Sequence, residues 1–437
     1  MTEGLYPLFE HQRLHTRDGD LFIDRRDGAL FSILPEEQAI LSLFNGRYRY
    51  RDIVTSLARH QGASLSNDLI GEIRRKFSKY IRDFDRPAQP HAEKFLPARH
   101  PPPVERAFPA EIILFLTEAC NFDCEYCIRY GVDAKSLKQH VVLGILEEAL
   151  ANHCLKVTLT GGEPFLDRHI VAYTELLLQG NIYPQITTNG SFLTSAVIGR
   201  LAAAGLPMIQ VSLDTTDRAL FRKMTGRDDA DKVMRNVKAL IASGIDVVLK
   251  CVLTTDNHAC AWQVAEFAAE QGAARVDFTP IQFTERDPVA KTKLKLSTAQ
   301  IEATKASIQQ AGGDVDIRFY SPNRTWTSAM DINSCGGYSS SLVVQANGGI
   351  GFCGNIPEAA YGNACRQSIT SAWQSPQRKT LINTYIAPAA EQVCGQCTYF
   401  TSCQSGCPLL KKEQRVPPGS RDPRCAIWSN HEDRHYL

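Results

Sequence analysis

Cys120, Cys124 and Cys127 stand in a C-x3-C-x2-C run directly after the apolar stretch Glu111–Thr117. Thiolates are preferred ligands for iron–sulfur clusters, and three of them in one short loop can wrap one face of a four-iron cube. Each iron of the cube needs a terminal ligand, so three thiolates leave one iron open. A structural zinc site ordinarily takes four protein ligands, and no fourth Cys or His lies close to the triplet. A second, gapped set follows: Cys335, Cys353, Cys394, Cys397, Cys403, Cys407 and Cys425. Alone, its Cys394-x2-Cys397 pair is also a zinc knuckle. The other four of the 14 cysteines, Cys154, Cys251, Cys260 and Cys365, are scattered. Cys251, inside the apolar run Val247–Leu253, reads as a small buried hydrophobe.

The elements that must position these thiols follow from periodicity. Strand-like runs at 111–117, 155–160, 183–188, 208–213, 246–254 and 276–281 alternate with helical runs such as Thr194–Ala204, Asp231–Ala242 and Ala261–Gln271. Six β–α repeats imply an α/β fold, a partial (β/α)6 TIM-like barrel over 111–311, in which ligands gather at the C-terminal strand ends. The triplet falls just past the first strand, and Thr160-Gly161-Gly162-Glu163-Pro164 falls past the second. Before the barrel, 1–85 read as a winged-helix-like unit. It has strands at Leu21–Asp24 and Ala29–Leu34, helices at Pro35–Phe44 and Tyr50–Arg59, and a third helix striped by Leu69, Ile73, Phe77, Tyr80 and Phe84. Residues 86–110, with Pro101-Pro102-Pro103, read as a Pro-rich linker. Over 312–437 helical periodicity fades, Asn347-Gly348-Gly349 signals a hairpin between 343–346 and 350–353, and bound clusters would supply the missing order.

A net charge of +1 gives no electrostatic case for nucleic acid or a membrane surface. Residues 1–85 hold equal numbers of basic and acidic side chains, which argues against a winged helix on DNA. No run of about 18 apolar residues suggests a membrane span, and Met1–Leu14 lacks the apolar core of a signal peptide. The chain reads as soluble and cytoplasmic, where clustered cysteines bind metal rather than pair as disulfides.

The triplet, followed one β–α unit later by Gly-Gly-Glu-Pro, resembles the radical S-adenosylmethionine (SAM) superfamily over about 111–285. The resemblance implies that Cys120, Cys124 and Cys127 hold a 4Fe–4S cluster, that Tyr126 lies against the adenine, and that Gly161, Gly162 and Glu163 meet the methionyl amine. It further implies that Thr188-Asn189-Gly190 ends the next strand at the site, that Ser212 and Asp214 border ribose and carboxylate, that Arg222 pairs with the SAM carboxylate, and that Asn257 closes the following strand. The second cysteine set resembles the SPASM extension. That implies two auxiliary 4Fe–4S clusters, one on Cys335, Cys353 and Cys407, the other on Cys394, Cys397, Cys403 and Cys425. Two cubes need eight terminal ligands and the motif supplies seven, so the first has a position open to a substrate thiolate unless Cys365 or Asp331 fills it. Sulfatase maturases typically place an Asp directly after the second auxiliary cysteine; here Gly354 stands there.

The N-terminal unit resembles the PqqD-like recognition element of peptide maturases, which implies a precursor leader added as a strand near Leu21–Asp24 and the face of Arg74, Lys79 and Arg82. Together these resemblances imply a radical SAM maturase of a ribosomally made peptide, fed by a flavodoxin- or ferredoxin-type donor. The lean is to a Cys thioether, as in sactisynthase- and ranthipeptide-forming enzymes, with a cyclophane-type carbon–carbon cross-link as alternative. Behind these stand sulfatase-maturase-like oxidation, epimerisation and a non-catalytic redox-sensing protein. The general base is not identified.

Overall fold

The structure, a computed structural model, describes residues 6–9, 14–16, 21–24, 30–33, 37, 40–41, 43–44, 49–61, 63–84, 106–129, 134–282, 289–320, 336–390, 394 and 400–425. It divides into two compact units, 1–104 and 105–437.

In the first unit β1 (Tyr6–Phe9) pairs antiparallel with β5 (Ile81–Phe84), and β2 (Leu14–Thr16), β3 (Leu21–Asp24) and β4 (Leu30–Ser32) form a second antiparallel sheet. Helices α1 (Tyr50–Gln61) and α2 (Ala63–Lys76) bury Tyr50, Ile53, Ile70 and Ile73 against Phe77 and Tyr80. Of the expected helix Pro35–Phe44 only isolated residues are described. The expected third helix is corrected at its end. It stops at Lys76, whose Arg74-Arg75-Lys76 turn suits the negative helix end; a 3-10 turn carries Tyr80, and Ile81–Phe84 is a strand. Tyr80 keeps its buried place because a 3-10 turn advances the apolar stripe nearly as an α-turn does.

In the second unit seven parallel strands follow one another in the sheet: β6 (Glu111–Thr117), β7 (Lys156–Gly161), β8 (Tyr183–Thr188), β9 (Met208–Ser212), β10 (Asp246–Leu253), β11 (Arg275–Pro280) and β12 (Asp316–Phe319). Helices α3 (Gln139–Ala151), α4 (Ile170–Gln179), α5 (Ser195–Ala203), α6 (Arg218–Thr225), α7 (Ala230–Ala242), α8 (Trp262–Gln271) and α9 (Thr298–Ala311) lie between them in sequence. The strand order is linear, so the TIM-like barrel is open. The expected six strands are present, and β12 adds a seventh.

On the other side of β6, β13 (Ser341–Val344) adds in parallel, and β14 (Gly349–Gly351) and β15 (Ala360–Asn363) continue antiparallel. The predicted hairpin thus exists and is an extension of the barrel sheet. Residues 106–110, expected in the linker, instead pack on the barrel: the Ala110 carbonyl accepts from Leu155 and Lys156, and the Arg106 carbonyl accepts from Trp373 Nε1 at 2.6 Å. Short α10 (Ile369–Trp373), α11 (Pro376–Ala390), α12 (Phe400–Cys403) and α13 (Pro408–Glu413) complete the unit.

Strand alternation sorts this sheet into two faces. Ile112, Leu114 and Leu116 of β6, and Val247, Leu249, Cys251 and Leu253 of β10, join the helix-side core, each at 1% exposure or less. Burying side chains of that size stabilises by roughly 1.5–3 kcal/mol each. The opposite face, the barrel interior, is largely polar; Thr158, Gln210, Ser212, Lys250 and Asp277 lie there.

Candidate metal and cofactor site

The cysteine loop leaves β6 and is held from three sides. At the end of β7, the Gly162 N–H donates to the Thr117 carbonyl at 2.7 Å and the Glu163 N–H to that of Ala119 at 2.9 Å. A Cβ on Gly161 would stand 2.2 Å from the Thr117 oxygen, and one on Gly162 the same distance from the Ala119 oxygen. Gly161 also has φ +153°, costly for other residues. Both glycines therefore let the end of β7 approach the backbone of the cysteine loop.

From β8, Asn189 Nδ2 donates to Asn121 Oδ1 at 2.8 Å and points at Cys120 Sγ at 3.8 Å, while Asn121 Nδ2 donates to Ser191 Oγ at 2.9 Å. From α6, the Thr225 carbonyl accepts from Asp123 N–H at 2.9 Å, and Phe221 meets Phe122 edge-on with centroids 5.7 Å apart.

The thiols fit a thiolate-bound cluster in their surroundings as well as in number. Backbone N–H groups of Phe122 and Arg129 point at Cys120 and Cys127 Sγ at 3.4 Å each, the kind of donor that tunes cluster thiolates. Burial raises the thiols of Cys120 and Cys124 above the ordinary range, so loading a metal here releases protons. Among the described residues no three His, Cys, Asp or Glu side chains converge at single-ion distance.

Glu163 is fully buried. Its Oε1 accepts from Phe165 N–H at 3.0 Å and Thr188 Oγ1 at 2.8 Å, and its Oε2 from Asn189 N–H at 2.7 Å. The carboxylate thus ties β7 to β8, with one lone-pair position left for an amine; burial raises its pKa. Tyr126 donates its hydroxyl to Asp214 Oδ2, and Asp214 Oδ1 accepts from Val252 N–H at 2.6 Å. Burial pushes Asp214 up to about 6 against those two bonds. Asn257 Nδ2 donates to the Asp214 carbonyl at 2.8 Å and to that of Val252 at 2.9 Å, locking this corner. Ser212 ends β9, half-buried, on the interior face. Arg222 is exposed on α6, and its charge acts on Asp228.

In the second cysteine set, five of the seven thiols lie among the described residues, and their mutual electrostatic influence runs along two lines. Burial pushes Cys353 up to about 11, and the charge of Cys407 adds to it. Cys403, raised by burial to about 12, feels Cys425 and Cys394 instead. Cys335, Cys397 and Asp331 lie outside the described residues; a Cβ on Gly337, two residues past Cys335, would stand 2.2 Å from the Phe352 carbonyl oxygen, next to Cys353. Cys365 is elsewhere. Its Sγ is 2.7 Å from the Cβ position of Gly348 at the hairpin turn, roughly 10 Å or more along β14 from Cys353. That removes Cys365 as the eighth ligand of the Cys353 group.

Sequence reasoning missed two cations. Arg129 is nearly buried. It grips Glu118 with Nε (2.9 Å) and Nη2, donates Nη1 to the Gly354 carbonyl at 2.7 Å and Nη2 to Gln345 Oε1 at 2.9 Å, and stacks 4.5 Å over Phe115. It therefore joins the loop after Cys127 to the one after Cys353. Lys411 is fully buried, with Nζ 2.9 Å from both Ser405 Oγ and the Pro418 carbonyl; burial lowers it to about 8 while Asp422 and Cys403 oppose that. Adjacency to Cys127 was the one visible signal for Arg129.

In the N-terminal unit, β3 is flanked on both sides by β2 and β4. Strand addition at Leu21–Asp24 is therefore corrected: its backbone groups are already paired, and β2 or β4 is the edge. Arg74 pairs with Asp83 and lies 5.0 Å over the Tyr50 ring, while the side chains of Lys79 and Arg82 lie outside the described residues.

An open parallel barrel whose first strand ends in a three-thiol loop, extended by a second cysteine-rich region, is a definite class. Residues 114–268 match the Radical SAM superfamily and residues 335–398 the SPASM iron–sulfur cluster-binding domain. The chain carries both domains, and they imply SAM and iron–sulfur clusters.

Among particular proteins, it is 33% identical over 188 residues to a probable GTP 3',8-cyclase of Saccharolobus solfataricus, covering 42% of this chain and 59% of that one. It is 24% identical over 335 residues to the PqqA peptide cyclase of Gluconobacter oxydans, covering 74% and 92%. The chain spans between half and three-fifths of the first cyclases it matches. In fold it is similar to Streptococcus suis SuiB bound to S-adenosylmethionine, with TM-score 0.63, 18% identity and coverage of 96% and 99%. It is also similar to anSMEcpe with bound AdoMet and a peptide, with TM-score 0.54, 16% identity and coverage of 74% and 94%. Among the described residues no helix is long and apolar enough to cross a membrane.

Proposed function

We propose that the chain is a radical SAM enzyme that installs an intramolecular cross-link in a ribosomally made precursor peptide. The observation that carries this reading is the joining of the three-thiol loop to the loop after Cys353 through Arg129, which brings the two cysteine regions together at one end of one barrel. Similarity to SuiB, also solved with its precursor peptide SuiA, and to PqqA peptide cyclase supports a peptide substrate.

When bound, the SAM-bearing cluster supplies a 5′-deoxyadenosyl radical able to take hydrogen from carbon, and the auxiliary clusters supply an acceptor for the electron a cross-link gives up. Cys120, Cys124 and Cys127 hold the first cluster. Gly161, Gly162 and Glu163 receive the methionyl amine, Tyr126 and Asp214 border the nucleoside, and the walls exclude water. Cys335, Cys353 and Cys407 hold one auxiliary cluster, and Cys394, Cys397, Cys403 and Cys425 the other. With Cys365 remote, Asp331 is the remaining candidate in the chain for the eighth position; where that position stays open it takes a substrate thiolate, the arrangement that favours a thioether over a carbon–carbon link. The N-terminal unit, PqqD-like, takes the leader on the edge of β2 or β4.

Anaerobic reconstitution with SAM and dithionite should yield 5′-deoxyadenosine and about twelve irons per chain. Where a short reading frame lies beside the gene, coexpression with the peptide it encodes should remove two hydrogens from that peptide. Absence of 5′-deoxyadenosine even with that peptide sinks the enzyme reading, and a cross-link lacking sulfur replaces the thioether by the carbon–carbon alternative.

A further inference from the structure

The barrel interior holds a cation and a hydroxyl that no protein group among the described residues meets with a hydrogen bond. Lys250 sits on β10, with its strand neighbours Leu249 and Cys251 turned to the helix-side core, so its side chain enters the barrel. The parallel register sets it beside Ser212 of β9 and Asp277 of β11. Among the described residues its Nζ makes no hydrogen bond and no ion pair at contact distance. Asp277 is taken, paired with Arg275 at 2.9 Å. Thr279, two residues along β11 on the same face, has a buried Oγ1 with no hydrogen-bond partner.

An ammonium and a hydroxyl left unpaired inside a folded chain are each unfavourable unless something fills them. Here they lie on adjacent strands, on a diagonal that a lysine side chain can span. Burial lowers the Lys250 pKa, against the charge of Asp277 on the neighbouring strand.

We infer that Lys250 and Thr279 form a carboxylate-binding subsite inside the barrel. The charge of Lys250 selects an anion, the Thr279 hydroxyl donates a second hydrogen bond, and Asp277 beside them makes its contact ion pair with Arg275. Two sources carry a carboxylate to this position: the methionyl end of SAM, since Ser212 is the ladder neighbour of Lys250, and an acidic or C-terminal carboxylate of the precursor. The subsite rests on the proposed function for the identity of these ligands. It is distinct from the exposed Arg222, which the resemblance assigns to the SAM carboxylate.

The test is equilibrium binding to the cluster-loaded protein, for the wild type, Lys250→Met, Lys250→Arg and Thr279→Val. The probes are SAM, its decarboxylated analogue, and the peptide found to be modified in the coexpression experiment above, in native form and with its carboxylates amidated. Lys250→Met should weaken one carboxylate ligand by about 10- to 100-fold, the range of a hydrogen bond to a charged group. Lys250→Arg should recover part of that, and Thr279→Val should cost several-fold.

If SAM weakens while its decarboxylated analogue does not, the source is SAM. If the native peptide weakens and the amidated one does not, the source is the precursor. Unchanged affinity for both carboxylate ligands in Lys250→Met and Thr279→Val, at wild-type iron content and circular dichroism, overturns the subsite. That result differs from a failure of the proposed function, which would already appear as absence of 5′-deoxyadenosine with the wild type.

Discussion

Gly162→Ala tests whether the end of β7 holds the cluster loop. The added Cβ would stand 2.2 Å from the Ala119 carbonyl oxygen, 2.6 Å from its carbon and 2.6 Å from the Glu118 oxygen. All three are backbone atoms, so no rotamer relieves the overlap, and the two segments must part by about 1 Å to reach ordinary contact. That parting strains the Gly162-to-Thr117 and Glu163-to-Ala119 hydrogen bonds. Overpacking costs about 1–3 kcal/mol and each weakened backbone bond about 0.5–1.5, which together give a loss of roughly 2–6 kcal/mol. Gly199→Ala is the control: it lies inside α5 with nothing within 4 Å of its Cβ position, and should gain about 0.5–1 kcal/mol. The assay is urea denaturation by circular dichroism, with iron content after anaerobic reconstitution. Gly162→Ala should lower the midpoint and lose about a third of the iron, that of the Cys120 loop. A wild-type midpoint with full iron would refute the argument that Gly162 is required by backbone approach.

Asn189→Ala removes the amide facing Cys120 and Asn121, and should make the SAM-binding cluster harder to reduce, read as a more negative midpoint by potentiometric EPR. Asp214 has a folded-state pKa of about 6 against an ordinary 3.8. The folded chain therefore holds the proton between those values, and the stability this gives is full below pH 4 and is lost as pH rises through 6. The difference at neutral pH is about 3 kcal/mol. Asp214→Asn should flatten that slope in urea titrations at pH 4, 5, 6 and 7, and an unchanged slope would assign it to another group. Lys411→Met removes a buried ammonium near Cys403 and Cys394 and should shift one auxiliary cluster to more negative potential while leaving the SAM-binding cluster unchanged. Arg129→Lys keeps the charge but cannot serve Glu118, Gln345 and the Gly354 carbonyl together; 5′-deoxyadenosine should still form, with fewer cross-links per SAM consumed, as mass spectrometry would count.

The barrel strands were legible because each buries one alternating row against helices, as Ile112, Leu114 and Leu116 do. The cysteine sets were legible because ligand spacing is local. Pairings that join distant segments left no such mark. β12, Asp-Ile-Arg-Phe, is a four-residue edge strand with two exposed charges, and β13 joins β6 through backbone bonds that any sequence could make. The third helix was read too long because Tyr80 keeps the apolar spacing after the backbone has left the helix. Lys250 did leave a signal, one charge inside the apolar run Val247–Leu253, which the reading of that run as core passed over.

The separation between the two cysteine sets follows from a strand register rather than from any cysteine. β13 lies on β6 with Val343 opposite Ile113, so the hairpin that leads to Cys353 starts from the edge of the strand that leads to Cys120. Phe115 then packs at 3.0 Å from the Cβ position of Gly354, and Arg129 stacks on the same ring while holding the Gly354 carbonyl. A side chain at 354 would press on Phe115. The position where sulfatase maturases carry an Asp is thus given over here to backbone contact, with its carbonyl turned to Arg129 and to Gln345 Nε2 at 3.0 Å. Gly354 therefore works as the joint between the two cysteine regions, and in the proposed reaction a group that removes a proton from the substrate would come from another wall of the barrel.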